Sequence, residues 1–456
     1  MIIHLPENRE MNAKMKYLIQ RFKLLSIFLF ASTFIACSDK LEDNNPEKYP
    51  IADGTFIQDY LVKNWDDAQW QKELAALKEV GMHYLVLAPT LNMDEDGVNR
   101  IIYDGSLPGT VVKYPVDLVE NCLRNAQKAG FKVFLGLNFN EKWWSANFPP
   151  EWLYGQMELG NQLADELTQR YKNRYKETLY GWYWVWEVDN LNCTTPERQK
   201  VLANALNINL DHLSKITPGM PFMLCPFVNY RVGTAEQNRE MWINVFAQTH
   251  FREGDIFAPQ DCVGAGGLEI EMLDEWFNEI SVAVKTKPEL LFWSDAETFD
   301  QRFWTSAPLD RFVRQMEIAK PYVSNIITFA YSHYYSPLSA NKNFHRSYLE
   351  YVETGTLPRE PMPEPVEYLT SFAQFDGTVD LFWKEPENKE NIVGCSVYRD
   401  SILIMNLQYQ NENQIIDTYR DKNAEQGRKH EYRICTYNSL GVESTPVITV
   451  LKTDEK

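Results

Sequence analysis

Eight short apolar runs alternate with longer amphipathic stretches along most of the chain. The runs are residues 55–58, 83–88, 132–137, 179–186, 221–226, 255–260, 290–294 and 324–330. The stretches between them repeat apolar residues about every 3.6 positions, which is typical of helices that pack on one face. Continuous apolar strands that alternate with helices predict a parallel sheet covered on its outside, and eight such units predict an α/β fold of the (β/α)8 type, a TIM barrel. A doubly wound open sheet is the alternative, but residues 56–65 lack the glycine-rich phosphate loop that such sheets carry after the first strand.

Two of the runs end in carboxylates. Residues 179–186 lead into Glu187, and residues 290–294 lead into Asp295 and Glu297. The carboxyl ends of parallel barrel strands share one rim, where barrel enzymes keep their catalytic groups. A carboxylate after so apolar a run is expected to be desolvated, which raises its pKa and suits a general acid. The structural alternative for Glu187 is a helix-capping partner or a salt-bridge acceptor.

Strand alternation assigns directions to these side chains. If Glu187 faces the barrel mouth, the tryptophans of its strand lie under the outer helices, as core rather than as sugar platforms: Trp182, Trp184 and Trp186. Asp295 and Glu297 share one parity, so either can face the mouth. Glu297 reaches further and is preferred as nucleophile or base, with Asp295 as a hydroxyl-binding group. A pair of carboxylates supports retaining or inverting glycoside hydrolysis according to its separation, which the sequence leaves open.

The ends of the other runs add side chains that suit sugar recognition. Amide and carboxyl groups hydrogen-bond hydroxyls, and flat rings stack on the apolar faces of sugars. His333 is either a base or a hydrogen-bonded rim residue, and the loop tryptophans are either sugar platforms or core. A glycine-rich segment, 264–267, predicts a flexible rim loop without phosphate-binding spacing. The candidate substrate-binding residues besides Asp295 are Asn138, Trp143, Trp144, Gln260, Asp261, Tyr331 and His333.

The N-terminus has the pattern of a bacterial export signal. A basic segment, 16–23, precedes an apolar segment, 24–35, that is short for a bilayer span but typical of a signal peptide. Residues 34–37 resemble a lipobox, which predicts a signal peptide over 1–36, a lipidated Cys37 and a polar tether over 37–52. The expected location is the bacterial cell envelope, lipid-anchored in the outer membrane and facing the surface. An ordinary signal peptide with an incidental cysteine is the alternative.

Charge and cysteine usage exclude several classes of function. The 45 Lys and Arg against 63 Asp and Glu give a formal charge of −18, which opposes binding to nucleic acid and to anionic lipid surfaces. Contact with a membrane is therefore expected through the lipid anchor alone. The 7 cysteines and 7 histidines show no metal-binding spacing, so neither a metal site nor a cofactor is expected.

The C-terminal part has a different pattern. The barrel domain is predicted over 53–356, a proline-rich linker over 357–364, and short alternating strands separated by turns over 365–453. These strands predict a small all-β sandwich that resembles an immunoglobulin or fibronectin type III-like domain, with Tyr432 where the tyrosine corner of such domains falls. Because its strands show no cluster of exposed aromatic residues, the sandwich is expected to be a spacer.

The chain over about 53–355 resembles a family of glycoside-hydrolase-like TIM-barrel lipoproteins, catalogued as a domain of unknown function and often followed by a β-sandwich. The resemblance is carried by Gly-Thr-Phe at 54–56, the segment 181–189, Pro-Gln-Asp at 259–261, Trp-x-Asp-x-Glu-Thr-Phe at 293–299, and Tyr-Ser-His-Tyr-x-Ser-Pro at 331–337. More remotely it is similar to the retaining glycosidases whose acid/base and nucleophile follow strands 4 and 7. Trp186 stands before Glu187, where that clan usually has asparagine, and Cys262 stands where a glycine would be more natural.

These observations predict a glycoside hydrolase that acts on a poly- or oligosaccharide at the cell envelope, with Glu187 as general acid/base and Glu297 as nucleophile or base. Its expected partners are the carbohydrate substrate and other envelope proteins of glycan utilisation. One alternative is a non-catalytic glycan-binding lipoprotein on the same scaffold. The other is a structural envelope protein whose rim carboxylates are paired with basic side chains.

Overall fold

The computed structural model describes residues 49–145, 149–411 and 413–453, which belong to one compact unit. The predicted signal peptide and the predicted lipidation site, Cys37, lie outside the described residues. Within the described part, none of the helices combines the length and the apolar character needed to cross a bilayer.

Eight parallel strands close into a barrel in which sequence neighbours pair and β1 pairs with β8, through Thr55 and Thr328. The predicted (β/α)8 barrel is therefore confirmed, and the open sheet is excluded. The strands are β1 Gly54–Ile57, β2 Tyr84–Leu87, β3 Lys132–Gly136, β4 Leu179–Trp184, β5 Phe222–Leu224, β6 Ile256–Phe257, β7 Leu291–Glu297 and β8 Asn325–Phe329.

One long helix follows each strand and covers the outside of the barrel. The helices are α1 Asp67–Glu79, α2 Leu118–Ala129, α3 Pro150–Leu167, α4 Pro196–Ile216, α5 Ala235–Gln248, α6 Leu273–Val284, α7 Leu309–Ala319 and α8 Lys342–Thr354. Asp66 begins α1 with a capping box that it forms with Gln69, since each side chain bonds the other residue's backbone N–H. Gly130, in the left-handed conformation that glycine adopts readily, ends α2.

Additional short elements lie on the rim formed by the carboxyl ends of the strands. A four-stranded sheet joins Leu91–Met93, Asn99–Ile101, Thr110–Val112 and Asn138–Asn140. A two-stranded hairpin, here called the rim hairpin, pairs Phe299–Asp300 with Thr305–Ser306. Short helical turns on this rim cover Asp59–Val62, Glu141–Ser145, Ile270–Met272 and Tyr331–Tyr334. At the opposite end of the barrel, a π-helical turn at Thr168–Lys172 follows α3 and precedes β4.

The barrel has an inner and an outer core, as strand alternation predicts. Tyr183 of β4 packs inside the barrel with side chains from the other strands, including Phe56 and Trp293. The three tryptophans of the β4 segment are fully buried in the outer core between the strands and the helices: Trp182, Trp184 and Trp186. The prediction that these tryptophans are core is therefore confirmed.

The C-terminal part is a β-sandwich of a three-stranded and a four-stranded antiparallel sheet, as predicted. Its strands are β9 Tyr368–Ala373, β10 Val379–Lys384, β11 Gly394–Arg399, β12 Ile402–Gln408, β13 Thr418–Asp421, β14 Lys429–Tyr437 and β15 Val447–Lys452. The sheets have the orders β9-β10-β13 and β12-β11-β14-β15. The buried Tyr432 donates its hydroxyl to a side-chain oxygen of Asp421, at 2.9 Å.

One expectation for the sandwich needs correction, because four aromatic side chains on it are exposed: Tyr368, Phe372, Phe375 and Phe382. Phe372 and Phe382 lie on the outward face of β9 and β10 with their ring centroids 6.0 Å apart. The alternation that buries Leu369 and Leu381 also turns these rings toward solvent.

The sandwich is bonded to the barrel. Ser306 of the rim hairpin donates its backbone N–H to Gln408 Oε1 at 2.7 Å, and the Gln408 amide donates to Ser306 Oγ at 2.7 Å. Leu309 at the start of α7 donates its N–H to the Ser439 carbonyl at 2.8 Å. Tyr437 and Leu440 of the sandwich pack into the outer core of the barrel. These contacts fix the sandwich against the rim hairpin and the start of α7.

Candidate active site

A cavity of about 560 Å³ opens at the carboxyl ends of the barrel strands, within the range of small-molecule binding sites. Its wall combines carboxyl and aromatic side chains. The carboxyl groups belong to Glu187, Asp189, Asp295 and Glu297, and the polar wall includes Gln260. The structure thus brings together Glu187, Gln260, Asp295 and Glu297 from the predicted set.

Glu187 follows β4 and is half-buried in the cavity wall. Burial raises the pKa of its carboxyl group to about 7; a hydrogen bond from the Gln260 side chain opposes the shift, and the charge of Asp189 adds to it. The main-chain carbonyl of Glu187 accepts the Trp143 indole N–H at 2.9 Å, which fixes the start of the loop after β4. Glu187 therefore has the pKa of a general acid that operates near neutral pH.

Glu297 ends β7 and is almost completely buried. Its Oε2 accepts the backbone N–H of Ala265 at 2.7 Å. A Cβ at Gly264 would lie 2.9 Å from this oxygen and 2.3 Å from the Phe299 carbonyl, so only glycine fits there. The segment 264–267, expected to be a flexible rim loop, instead packs closely against Glu297 and holds its carboxylate.

Asp261 lies behind Glu297 rather than in the cavity wall. It accepts the backbone N–H groups of Val263 and Glu297, each at 3.1 Å, and the side-chain amide of Gln315. Asp261 was expected to bind substrate, but this expectation must be corrected. The residue is buried, and its hydrogen bonds go to the segment that holds Glu297. Burial raises the pKa of Asp261 to about 6.

Burial, followed by the neighbouring charge of Asp261, raises the pKa of Glu297 well above its ordinary value. The Ala265 N–H and the positive charge of Arg311 oppose this rise. Asp295 is equally buried, and its Oδ1 has no hydrogen-bond partner among the described residues. Burial, then Asp261 and Glu187, raise the pKa of Asp295, and only a backbone hydrogen bond opposes the rise. Glu297 therefore has a backbone N–H and a nearby positive charge that favour its anion, whereas only a backbone hydrogen bond favours the anion of Asp295.

Aromatic rings form the upper wall of the cavity. Trp144, Tyr60 and Trp304 are 55%, 53% and 63% exposed, which is unusual for rings of this size. Trp144 lies on the rim of the cavity. This exposed position is the one that the sugar-platform alternative from the sequence requires. Trp304 was not singled out from the sequence as a site residue. The available signal was its position in the loop after β7, which resembles the position of Trp144 in the loop after β3.

Besides Asp261, four predicted residues lie away from the cavity wall. Trp143 is buried against Trp186, so it cannot stack on a sugar. Asn138 is buried, and its amide donates to the Gln156 carbonyl at 3.0 Å. Tyr331 is fully buried and bonded to His345, because the turn Tyr331–Tyr334 directs it under α8.

His333 is the fourth. Its Nε2 accepts the Gln58 backbone N–H at 3.3 Å, which leaves the proton on Nδ1, 3.1 Å from the Tyr60 hydroxyl. Burial lowers its pKa to about 4, so the ring is neutral near pH 7 and positions Tyr60 rather than carrying charge.

Among the described residues, no three His, Cys, Asp or Glu side chains are grouped in a way that could hold a metal ion. The described cysteines are buried and unpaired. Cys262, where a glycine looked more natural, has a φ of 58° in the left-handed region that favours glycine. It lies directly after Asp261, at the turn that begins the segment around Glu297.

The closed barrel with a carboxyl-lined cavity at its carboxyl-terminal rim defines a TIM-barrel protein. Residues 52–341 match the family described as "Domain of unknown function (DUF4434)", and the chain belongs to this family. None of the curated proteins matches the sequence.

Two solved structures are similar to this chain to different degrees. A proposed alpha-L-fucosidase from Bacteroides thetaiotaomicron VPI-5482 is 22% identical, with a TM-score of 0.56 over 70% of this chain and 99% of that one. An endo-beta-1,4-mannanase from Thermotoga petrophila is 12% identical, with a TM-score of 0.40 over 90% of this chain and 99% of that one. At 22% identity, the similarity to the first of these structures concerns the fold alone.

Proposed function

We propose that this protein is an O-glycoside hydrolase that acts on a poly- or oligosaccharide, with Glu187 as general acid/base and Glu297 as nucleophile or base. One observation carries the proposal: both carboxyl groups face one cavity, and burial raises the pKa of Glu187 to about 7. Such a carboxyl group is substantially protonated at neutral pH, as a group that protonates a leaving oxygen must be.

In the proposed reaction, Glu187 donates its proton to the glycosidic oxygen as the bond from that oxygen to the anomeric carbon breaks. Glu297 then either forms an ester bond to the anomeric carbon, which water later hydrolyses, or takes a proton from the water that attacks this carbon. In the first case Glu187 removes a proton from the incoming water and returns to its starting state. Gln260 and Asp295 are positioned to hydrogen-bond sugar hydroxyls in the cavity.

The Ala265 N–H and the charge of Arg311 support Glu297 rather than Asp295 in this role. Both favour the ionised carboxylate that either mechanism requires. Glu297→Gln should therefore abolish turnover, whereas Asp295→Asn should weaken substrate binding and leave measurable turnover.

A second candidate function is glycan binding without turnover. The observation that favours it is Asp261 directly behind Glu297, because this neighbouring charge raises the pKa of Glu297. A carboxyl group that stays protonated cannot attack an anomeric carbon or accept a proton from water. The cavity would then bind glycans through the same hydrogen bonds and aromatic rings.

The test is glycan turnover by the soluble form that begins after Cys37, on plant, microbial and host polysaccharides. Glu187→Gln and Glu297→Gln are compared with Glu275→Gln, which removes an exposed carboxylate on α6. Product release that is lost in the first two variants and kept in the third supports the proposal, and the anomer of the product then separates retention from inversion. Turnover that survives both active-site changes excludes it, and binding without turnover favours the second candidate.

We further propose that the protein is anchored in the outer membrane through a lipid on Cys37 and faces the cell surface, beside other envelope proteins of glycan utilisation. The basis is the sequence pattern alone, since Cys37 lies outside the described residues. Fatty-acid labelling that is lost in Cys37→Ser supports the anchor, and labelling that persists excludes it.

A further inference from the structure

Trp304 is an exposed ring on a constrained backbone. It lies in the rim hairpin with a φ of 53°, in the left-handed region that side-chain-bearing residues rarely adopt. Its ring is 63% exposed and stacks on Phe299, with an interplanar angle of 7° and centroids 5.8 Å apart. Core packing does not explain an arrangement that holds a large apolar ring in water at a conformational cost.

Trp304 and Trp144 stand on opposite sides of the barrel mouth. Trp144 follows β3 and Trp304 follows β7, and these strands are four positions apart in the closed ring of eight. Both rings belong to the wall of the cavity that Glu187 and Glu297 line. A ligand that contacts both rings must therefore extend across the mouth, over the two carboxyl groups.

The charge of the cavity selects among such ligands. Its described lining includes the carboxyl groups of Glu187, Asp189, Asp295 and Glu297 and no lysine or arginine. Such a lining supplies no counter-charge for a carboxylate or sulfate group on a ligand, and any of its carboxyl groups that ionises would repel that group. Uronic acid and sulfated glycans are therefore poor ligands for this site.

We infer that the cavity binds an uncharged glycan chain that crosses the barrel mouth, with one sugar stacked on Trp304 and another on Trp144. Trp304 is then a specificity-determining residue, and the rim hairpin exists to present it. This inference names the substrate class of the proposed hydrolase and rests on that proposal for turnover, but it makes a separate statement about binding.

The test compares Trp304→Gly and Trp144→Ala with the unchanged protein. The probes are neutral gluco-, manno- and xylo-oligosaccharides from disaccharide to hexasaccharide, with oligogalacturonides as the anionic series. Binding and kcat/KM should rise with chain length on a neutral series and fall by at least about tenfold in each variant, which is ~1.4 kcal/mol. Phe375→Ala, which removes a fully exposed ring on the sandwich, is the matched control and should change neither.

Trp304→Gly also separates a binding role from a structural one. Glycine adopts a positive φ without strain, so this variant should keep or raise the melting temperature while it loses affinity for the chain. A variant that loses stability and affinity together would indicate a structural role and overturn the assignment.

The failure of this inference differs from the failure of the proposed function. Length-dependent binding that requires Trp304, without turnover, supports the inference and refutes the hydrolase. Turnover that is indifferent to chain length and to both tryptophans overturns the inference and leaves the hydrolase in place. Equal binding of oligogalacturonides and neutral chains also overturns it.

Discussion

The pKa of Glu187 makes the pH dependence of activity a direct test of its role. A general acid works only when protonated, so kcat/KM should fall above its pKa in the free enzyme, by about tenfold per pH unit. With a pKa of about 7, roughly half of the Glu187 carboxyl groups carry the proton at pH 7. At the ordinary value of 4.5 the fraction would be about 0.3%, so burial raises the active fraction about 150-fold.

The fall of kcat/KM above the pKa of Glu187 is the basic limb of the pH profile. Two substitutions should move this limb in opposite directions. Gln260→Leu removes the hydrogen bond that lowers the pKa of Glu187, so the limb should move to higher pH. Asp189→Asn removes a negative charge that raises this pKa, so the limb should move to lower pH. The assay is kcat/KM against pH on one neutral glycan, over a range in which each variant stays folded.

Other titrating groups must be excluded as the source of a limb near pH 7. His333, with a pKa of about 4, cannot produce a limb near 7. Glu73 also has a pKa of about 7, but it is buried against Ser336 away from the cavity, so Glu73→Gln should leave the limb in place. A limb that Gln260→Leu and Asp189→Asn do not shift in opposite directions would refute the assignment of Glu187 as the acid.

Three further predictions concern groups around the site. The raised pKa of Glu73 means that stability is lost as pH rises from 4.5 through about 7, so Glu73→Gln should raise the free energy of unfolding above pH 7 by up to about 3 kcal/mol, measured by urea unfolding on both sides of that pH. Gly264→Ala would push a methyl group against Glu297 and should lower kcat/KM at least about tenfold at unchanged fold, whereas Gly155→Ala, in open space on α3, should leave kcat/KM unchanged. Asp261→Asn removes the charge beside Glu297, so the acid limb of kcat should move to lower pH; a limb that stays in place would show that Glu297 does not set it.

Strand periodicity predicted the parts of the site that lie on strands. If Glu187 faces the mouth, alternation along β4 places the tryptophans of that strand outside the barrel. The same alternation left the choice between Asp295 and Glu297 open, because the two residues share one parity. The tryptophan placement follows from the geometry of extended chain, whereas Glu187 itself lies in the loop that begins after Trp184.

The loops were less predictable, because single dihedral angles decide their side-chain directions. Trp143 and Trp144 are adjacent in one helical turn, yet the first is buried against Trp186 and the second lines the cavity. Tyr331 turned inward because a short helix begins at that residue. Trp304 gave no periodic signal, since its orientation depends on a left-handed backbone at one position.

The paired hydrogen bonds between Ser306 and Gln408 connect the sandwich to the rim hairpin at the mouth of the cavity. The rim hairpin that presents Trp304 is clamped from behind by a side chain that lies about a hundred residues further along the chain. A barrel expressed without its sandwich would lose the Ser306–Gln408 hydrogen bonds. It would also expose the apolar surface that Tyr437 and Leu440 cover. We therefore expect the two domains to depend on each other. Removal of the smaller domain should first lower the affinity for long glycans.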